Sequence, residues 1–160
     1  MTDPHLDEEP AEHDRYRRYL RALDDVAEAD EAGLVTTVLR DQDAAMAQAA
    51  VNHHLERRAA ELLTDPAFTD WAGSMASTIG DRPFLTRRLR EWTLLRSIAL
   101  DEPWTAEELT TASDWMQRMV ATTQVVNSTE ALSLLAERGR TRRVRNAANR
   151  RLPPQDHRPG

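Results

Sequence analysis

The sequence predicts an all-α protein of about eight helices, and three observations carry that prediction. Glycine is scarce, at five residues, and aromatic side chains make up only 5% of 160 residues. Sheets built from short strands draw on glycine turns and on β-branched or aromatic residues, so this composition disfavours them. Alanine, leucine, arginine and glutamate are abundant and favour helix. Apolar residues also recur at intervals of three and four in segment after segment, the period of a helix with one buried face. A folded chain of this length typically removes about 68–70% of its unfolded surface from water. Residues 12–152 are therefore expected to form a single helical domain. The polar, proline-bearing ends, residues 1–11 and 153–160, are expected to be disordered.

A first helix is expected over residues 12–31, with Tyr16, Tyr19, Leu20, Leu23, Val26 and Ala27 inward and Gly33 ending or redirecting it. The segment GLVTTVLRDQD gives a short apolar helix that stops at Asp41 and Asp43, either of which can cap the next one. In DAAMAQAAVNHHLERRAAELL the stripe is Ala47, Val51, Leu55, Ala59 and Leu62. Asp65-Pro66 then reads as an N-cap followed by proline at the first helical position, starting a helix to about Ile79 that buries Phe68, Trp71, Ala72 and Met75.

After Gly80-Asp81, residues 83–100 place Leu85, Leu89, Trp92, Leu95 and Ala99 on one face, with Leu94 and Ile98 nearly opposite. Such a helix is expected between neighbours, and Arg88 and Arg96 on its apolar side need partners or an edge from which to reach water. Pro103 breaks the chain, and TAEE at 105–108 is a capping box for a helix running to about Thr122. A link over 122–127 leads to a final pair, STEALSLLAER and TRRVRNAANRRL, which meet at Gly139. The four tryptophans, Trp71, Trp92, Trp104 and Trp115, are expected in the core or at hairpin junctions.

Residues 131–152 have the layout of a helical hairpin whose second helix reads V-R-x-A-A-x-x-x-L. The pattern resembles the HEAT repeat, matched here by Val144, Arg145, Ala147, Ala148 and Leu152. The aspartate usual in that family's turn is replaced by Gly139-Arg140-Thr141, so the family's Asp–Arg ladder is not expected. Residues 34–55 resemble the same unit, with Val35, Val38, Ala50, Asn52 and Leu55 aligning with Leu132, Leu135, Ala147, Asn149 and Leu152. Repeats of about 40–47 residues need roughly three copies to bury a continuous core, and the span from Gly33 to Leu152 accommodates them. The resemblance implies a short α-solenoid acting as a scaffold or adaptor; an irregular helical bundle is the other architecture the residues allow.

Chemistry finds little support in the residues. The chain has no cysteine, which removes disulfides, thiolate metal sites and cysteine nucleophiles. No phosphate-cradling glycine loop or nucleophile elbow is recognisable. His53 and His54 are adjacent and point about 100° apart on a helix, unlike the i, i+4 pair that holds one ion. His53 is expected exposed and His54 at the border of the apolar stripe. The carboxylates are scattered through caps and outer faces, where helix N-termini attract them. The expectation is a protein without catalytic residues, metal or cofactor, the rival being a small helical enzyme that lacks a recognisable motif.

Charge is the remaining signal. The net charge is -6, yet residues 1–31 carry eleven acidic groups against four arginines and residues 138–160 carry eight arginines against Asp156. With Val144 inward, Arg142, Arg143 and Arg150 project to the opposite side of the last helix beside Asn146 and Asn149, while Arg145 flanks the core and Arg151 falls near it. These three arginines are the candidate partner-binding residues, for an acidic protein or a second copy of this chain. Nucleic acid is the alternative partner, disfavoured by the acidic pI near 5.4. All 21 basic residues are arginine, as GC-rich bacterial coding produces. The N-terminus has no signal-peptide pattern and no run approaches the ~18 apolar residues of a membrane span, so a cytoplasmic location is expected.

Overall fold

The computed structural model describes residues 8–154, with side chains from residue 13 onward. All regular structure among the described residues is helical, as the composition predicts. The helices are α1 (Glu8–Asp25), α2 (Glu31–Leu39), α3 (Ala44–Leu62), α4 (Phe68–Ile79), α5 (Pro83–Ala99), α6 (Ala106–Thr110), α7 (Asp114–Thr122), α8 (Thr129–Arg138) and α9 (Arg142–Arg151), with a 3-10 turn at Glu28–Asp30. They gather into two compact units, one ending at Leu89 and one beginning at Arg90. The disorder expected for residues 1–7 and 155–160 falls outside the described residues.

In the first unit, α1 and α2 both pack on α3, and α2 also packs on α4. The α3 stripe is Ala47, Val51, Leu55 and Ala59, joined by Ala50, and these are buried together with Leu23 of α1, Val35 and Val38 of α2, and Phe68 and Met75 of α4. Burial of the valine, leucine, phenylalanine and methionine side chains in this layer stabilises by about 1.5–3 kcal/mol each. Asp43 caps α3 by accepting from Met46 N, 3.1 Å. Asp41 instead ties down α1: Tyr19 donates its hydroxyl to it at 2.6 Å and Arg15 Nη2 donates at 3.2 Å.

Three boundaries differ from the sequence-based expectation. The first helix starts earlier and ends at Asp25, and the chain turns at residues 26–30 before α2 begins at Glu31; Gly33 lies within α2. Glu28, Asp30 and Glu31 crowd the new helix start, where acidic groups are favoured by the unpaired N–H groups and the dipole. Of the residues expected inward on α1, only Leu23 is fully buried, and Ala27 is exposed. At α4, Asp65 does not act as N-cap with Pro66 next. It accepts from Ala67 N at 2.8 Å in a preceding turn, and the helix begins at Phe68. Arg88 finds Glu56 at 4.0 Å and lies 5.5 Å above the Phe84 ring, which meets the need for company that its position raised.

In the second unit, the Thr105–Glu108 capping box is present in both directions. The helix expected to run on to Thr122 breaks at 111–113, and Ser113 starts α7 by accepting from Met116 N. Buried Glu91 holds the chain at this break, its carboxylate accepting from both the backbone N and the hydroxyl of Ser113 at 2.8 and 2.7 Å. Trp92 and Trp115 meet edge to face at 5.6 Å, Trp92 being buried and Trp115 half-buried. Helices α7, α8 and α9 pack on one another around Met116, Val120, Leu132, Leu135, Val144 and Ala148. The α8–α9 hairpin predicted from 131–152 is thus formed, with Ser128 and Thr141 as the two N-caps. Gly139 at its turn is fixed by space: a Cβ there would lie 2.6 Å from Leu135 O and 2.8 Å from Val144 Cγ1.

Candidate functional site

The predicted partner-binding residues share the outer face of α9. Arg142, Arg143 and Arg150 are all exposed, and none of their side chains forms an ion pair or hydrogen bond with another described residue. Their neighbours are used differently. Arg145 Nη1 donates to Gly139 O at 2.8 Å, closing the hairpin turn. Arg151 reaches across to the end of α7 and donates to the carbonyls of Val120, Ala121, Thr123 and Val126, the Thr123 bond being 2.8 Å. Helix C-termini leave their last carbonyls unpaired, and a guanidinium with five N–H donors satisfies several at once. Arg140 is also engaged: its N–H donates to Gln117 Oε1 at 2.9 Å and its Nη1 to Ala112 O at 3.2 Å. The guanidinium-rich segment thus divides into arginines that hold the unit together and three that face solvent.

A second constellation lies in the first unit. Glu31 is 3% exposed and His54 is 1% exposed. Glu31 Oε2 accepts from His54 Nε2 at 2.6 Å, from Arg58 Nε at 3.0 Å and from Trp71 Nε1 at 3.1 Å, so one oxygen joins α2, α3 and α4. Arg57 Nη2 lies 3.3 Å from His54 Nδ1 and donates to Leu23 O at 3.2 Å. A guanidinium carries no acceptor, so Nδ1 offers the lone pair and Nε2 the proton that goes to Glu31. Burial by itself raises the Glu31 pKa. The hydrogen bonds from His54, Arg58 and Trp71 and the charge of Arg58 outweigh burial and hold it down at about 2.

Beside this cluster is a cavity of ≈ 250 Å³ whose lining includes Glu31, His54, Arg57 and Arg58, with Asp24, Glu28 and Glu61 around them. Both ring nitrogens of His54 are engaged, one by Glu31 and one by Arg57. The imidazole therefore has no free nitrogen with which to take a proton from a bound molecule, as a general base must. What the cavity offers is hydrogen-bond acceptors and charge. Among the described residues no group of three His, Asp or Glu side chains has the arrangement that holds a metal ion.

His54 was expected at the border of the α3 stripe, and it lies inside it. The signal was its spacing: His54 falls three residues after Val51 on the buried face, and a polar ring there requires a partner. The partner, Glu31, is 23 residues away in sequence and belongs to no short motif. His53 is exposed, as expected. No helix among the described residues is long and apolar enough to cross a membrane. No protein-family model, curated protein or solved structure matches the chain.

Proposed function

We propose that the protein is a non-catalytic, HEAT-like helical adaptor, acting in the cytoplasm of a bacterium, that binds an acidic protein surface through the outer face of α9. One observation carries this reading. Of the arginines on a ten-residue helix, two are consumed by backbone carbonyls, while Arg142, Arg143 and Arg150 stand exposed without partners among the described residues. Guanidinium groups pair bidentately with carboxylates and are less strongly hydrated than ammonium groups, which suits them to an interface. The acidic N-terminal stretch of a second copy, MTDPHLDEEPAEHD, has the complementary charge. The hairpin packing of Val144 and Ala148 against α8 supports the HEAT-like part of the reading.

Fluorescence anisotropy tests it, using the full-length protein, a labelled peptide of residues 1–14 and a labelled DNA duplex at several salt concentrations. The reading expects the peptide to bind, with affinity that falls as salt rises and drops at least about tenfold in the Arg142→Glu/Arg143→Glu/Arg150→Glu variant. Tighter binding of the duplex, weakened by the same substitutions, would replace the acidic protein by nucleic acid. Binding unchanged by the substitutions would remove α9 from the interface.

A further inference from the structure

His54 is closed on its two sides by charged groups of opposite sign. Its Nε2 donates to Glu31 Oε2 at 2.6 Å, and its Nδ1 accepts from Arg57 Nη2 at 3.3 Å. The ring is 1% exposed, so these two groups decide what each nitrogen can do. A proton has one place to go, the Nδ1 lone pair that faces Arg57. Taking it there turns an acceptor into a donor, aimed at a guanidinium that has no acceptor to offer. One hydrogen bond is replaced by two like-charged donors.

Arg57 links this ring to α1. The same Nη2 donates to Leu23 O at 3.2 Å, in the last turn of α1, where carbonyls lack a partner within the helix. The other contacts of Arg57 lie with groups nearer solvent: it pairs with Asp24 Oδ1 at 3.0 Å and Glu61 Oε1 at 2.9 Å, both half-exposed carboxylates. The Arg57 side chain is itself 31% exposed, which gives it a route toward them.

The charge around the ring accommodates an imidazolium. Asp24 from α1, Glu28 from the turn after it, Glu31 from α2 and Glu61 from α3 line the cavity with Arg57 and Arg58, four carboxylates against two guanidinium groups. From α4 comes the Trp71 indole, which carries no charge and donates to Glu31. The Glu31 pKa, held down at about 2, keeps that carboxylate ionised as the counter-charge beside Nε2. Protonation therefore leaves the Glu31 side of the ring intact and reverses the Arg57 side. We propose that His54 is a pH-responsive latch on α1: protonation at Nδ1 expels Arg57 Nη2 from the ring and from Leu23 O, and the last turn of α1 loosens while α2, α3 and α4 stay joined through Glu31.

The test is NMR on the isotope-labelled full chain between about pH 8 and 5, the range in which histidine changes charge. Imidazole nitrogen shifts report protonation of His54. Hydrogen exchange at Leu23, Asp24 and Asp25, divided by the intrinsic rate at each pH, reports the last turn of α1. The proposal expects Nδ1 to gain a proton in that range and protection of these amides to fall in step by at least about tenfold, while Val35 and Val51 keep theirs. In Arg57→Ala the same amides are poorly protected already at the alkaline end and respond no further to pH. Circular dichroism checks the helices of that variant, and the wild-type titration decides the question without it. An imidazole still neutral at the acid end, protection unchanged as His54 becomes charged, a parallel loss at Val35 and Val51, or the wild-type pH response persisting in Arg57→Ala would each overturn it.

Discussion

His54 Nε2 lies 2.6 Å from Glu31 Oε2, so a ring on α3 holds the first residue of α2 in place. The two side chains, with Trp71 and Arg58, anchor the start of α2 immediately after the turn that follows α1. A folded-state carboxyl pKa depressed from 4.5 to about 2 stabilises the protein above its unfolded value. That contribution is lost as pH falls through the window from 4.5 to about 2. Urea midpoints measured across pH are expected to drop there by the equivalent of on the order of 3 kcal/mol. Glu31→Gln lowers stability at pH 7 and flattens this part of the profile. A wild-type decline of the same size in the Glu31→Gln protein would assign the acid sensitivity elsewhere.

Arg151→Ala is expected to destabilise by about 1.5–3 kcal/mol in chemical denaturation, because it strips a charged donor from carbonyls at the end of α7. Arg151→Lys recovers only part of this, since an ammonium lacks the planar fork that reaches several oxygens. Full recovery by lysine would reduce the role to that of a point charge near a helix C-terminus.

Gly139→Ala is expected to cost about 1–3 kcal/mol, because the new methyl meets Leu135 O and the Val144 side chain. The φ at this residue is -57°, so the backbone conformation itself suits alanine. A double variant that also carries Val144→Ala relieves one of the two clashes. Its stability relative to the single variants therefore measures how much of the effect comes from the side chain.

Charge reversal at Arg142, Arg143 and Arg150 is expected to change thermal stability by no more than about 0.5 kcal/mol per residue, since exposed positions without internal partners contribute little to folding. Loss of partner binding with an unchanged melting temperature is the combination that separates an interface from a structural role.

What could be read from the chain followed the range of the interaction. Local devices were legible: the Thr105–Glu108 capping box, the Asp43 cap and the inward Val144–Ala148 register are each encoded within about one or two turns. The breaks after Asp25 and at 111–113 were not, because neither contains proline or glycine to mark it. Beside each, a buried carboxylate holds a partner distant in sequence: Trp71 meets Glu31 across 40 residues, and Ser113 meets Glu91 across 22. For the same reason the three outward arginines were visible from helical geometry, whereas the Glu31–His54 cavity became apparent only once α2, α3 and α4 were together.

The closure of α9 at both ends bears on the kinetics of recognition. Thr141 fixes its first turn and Arg151 fixes its last. A partner approaching the outer face meets charges on a backbone that is already ordered, so the entropy lost on docking falls on flexible guanidinium stems alone. Encounter is then governed by long-range attraction and its screening. Association rates should fall with salt more steeply than dissociation rates rise, the kinetic signature of a prearranged charged surface.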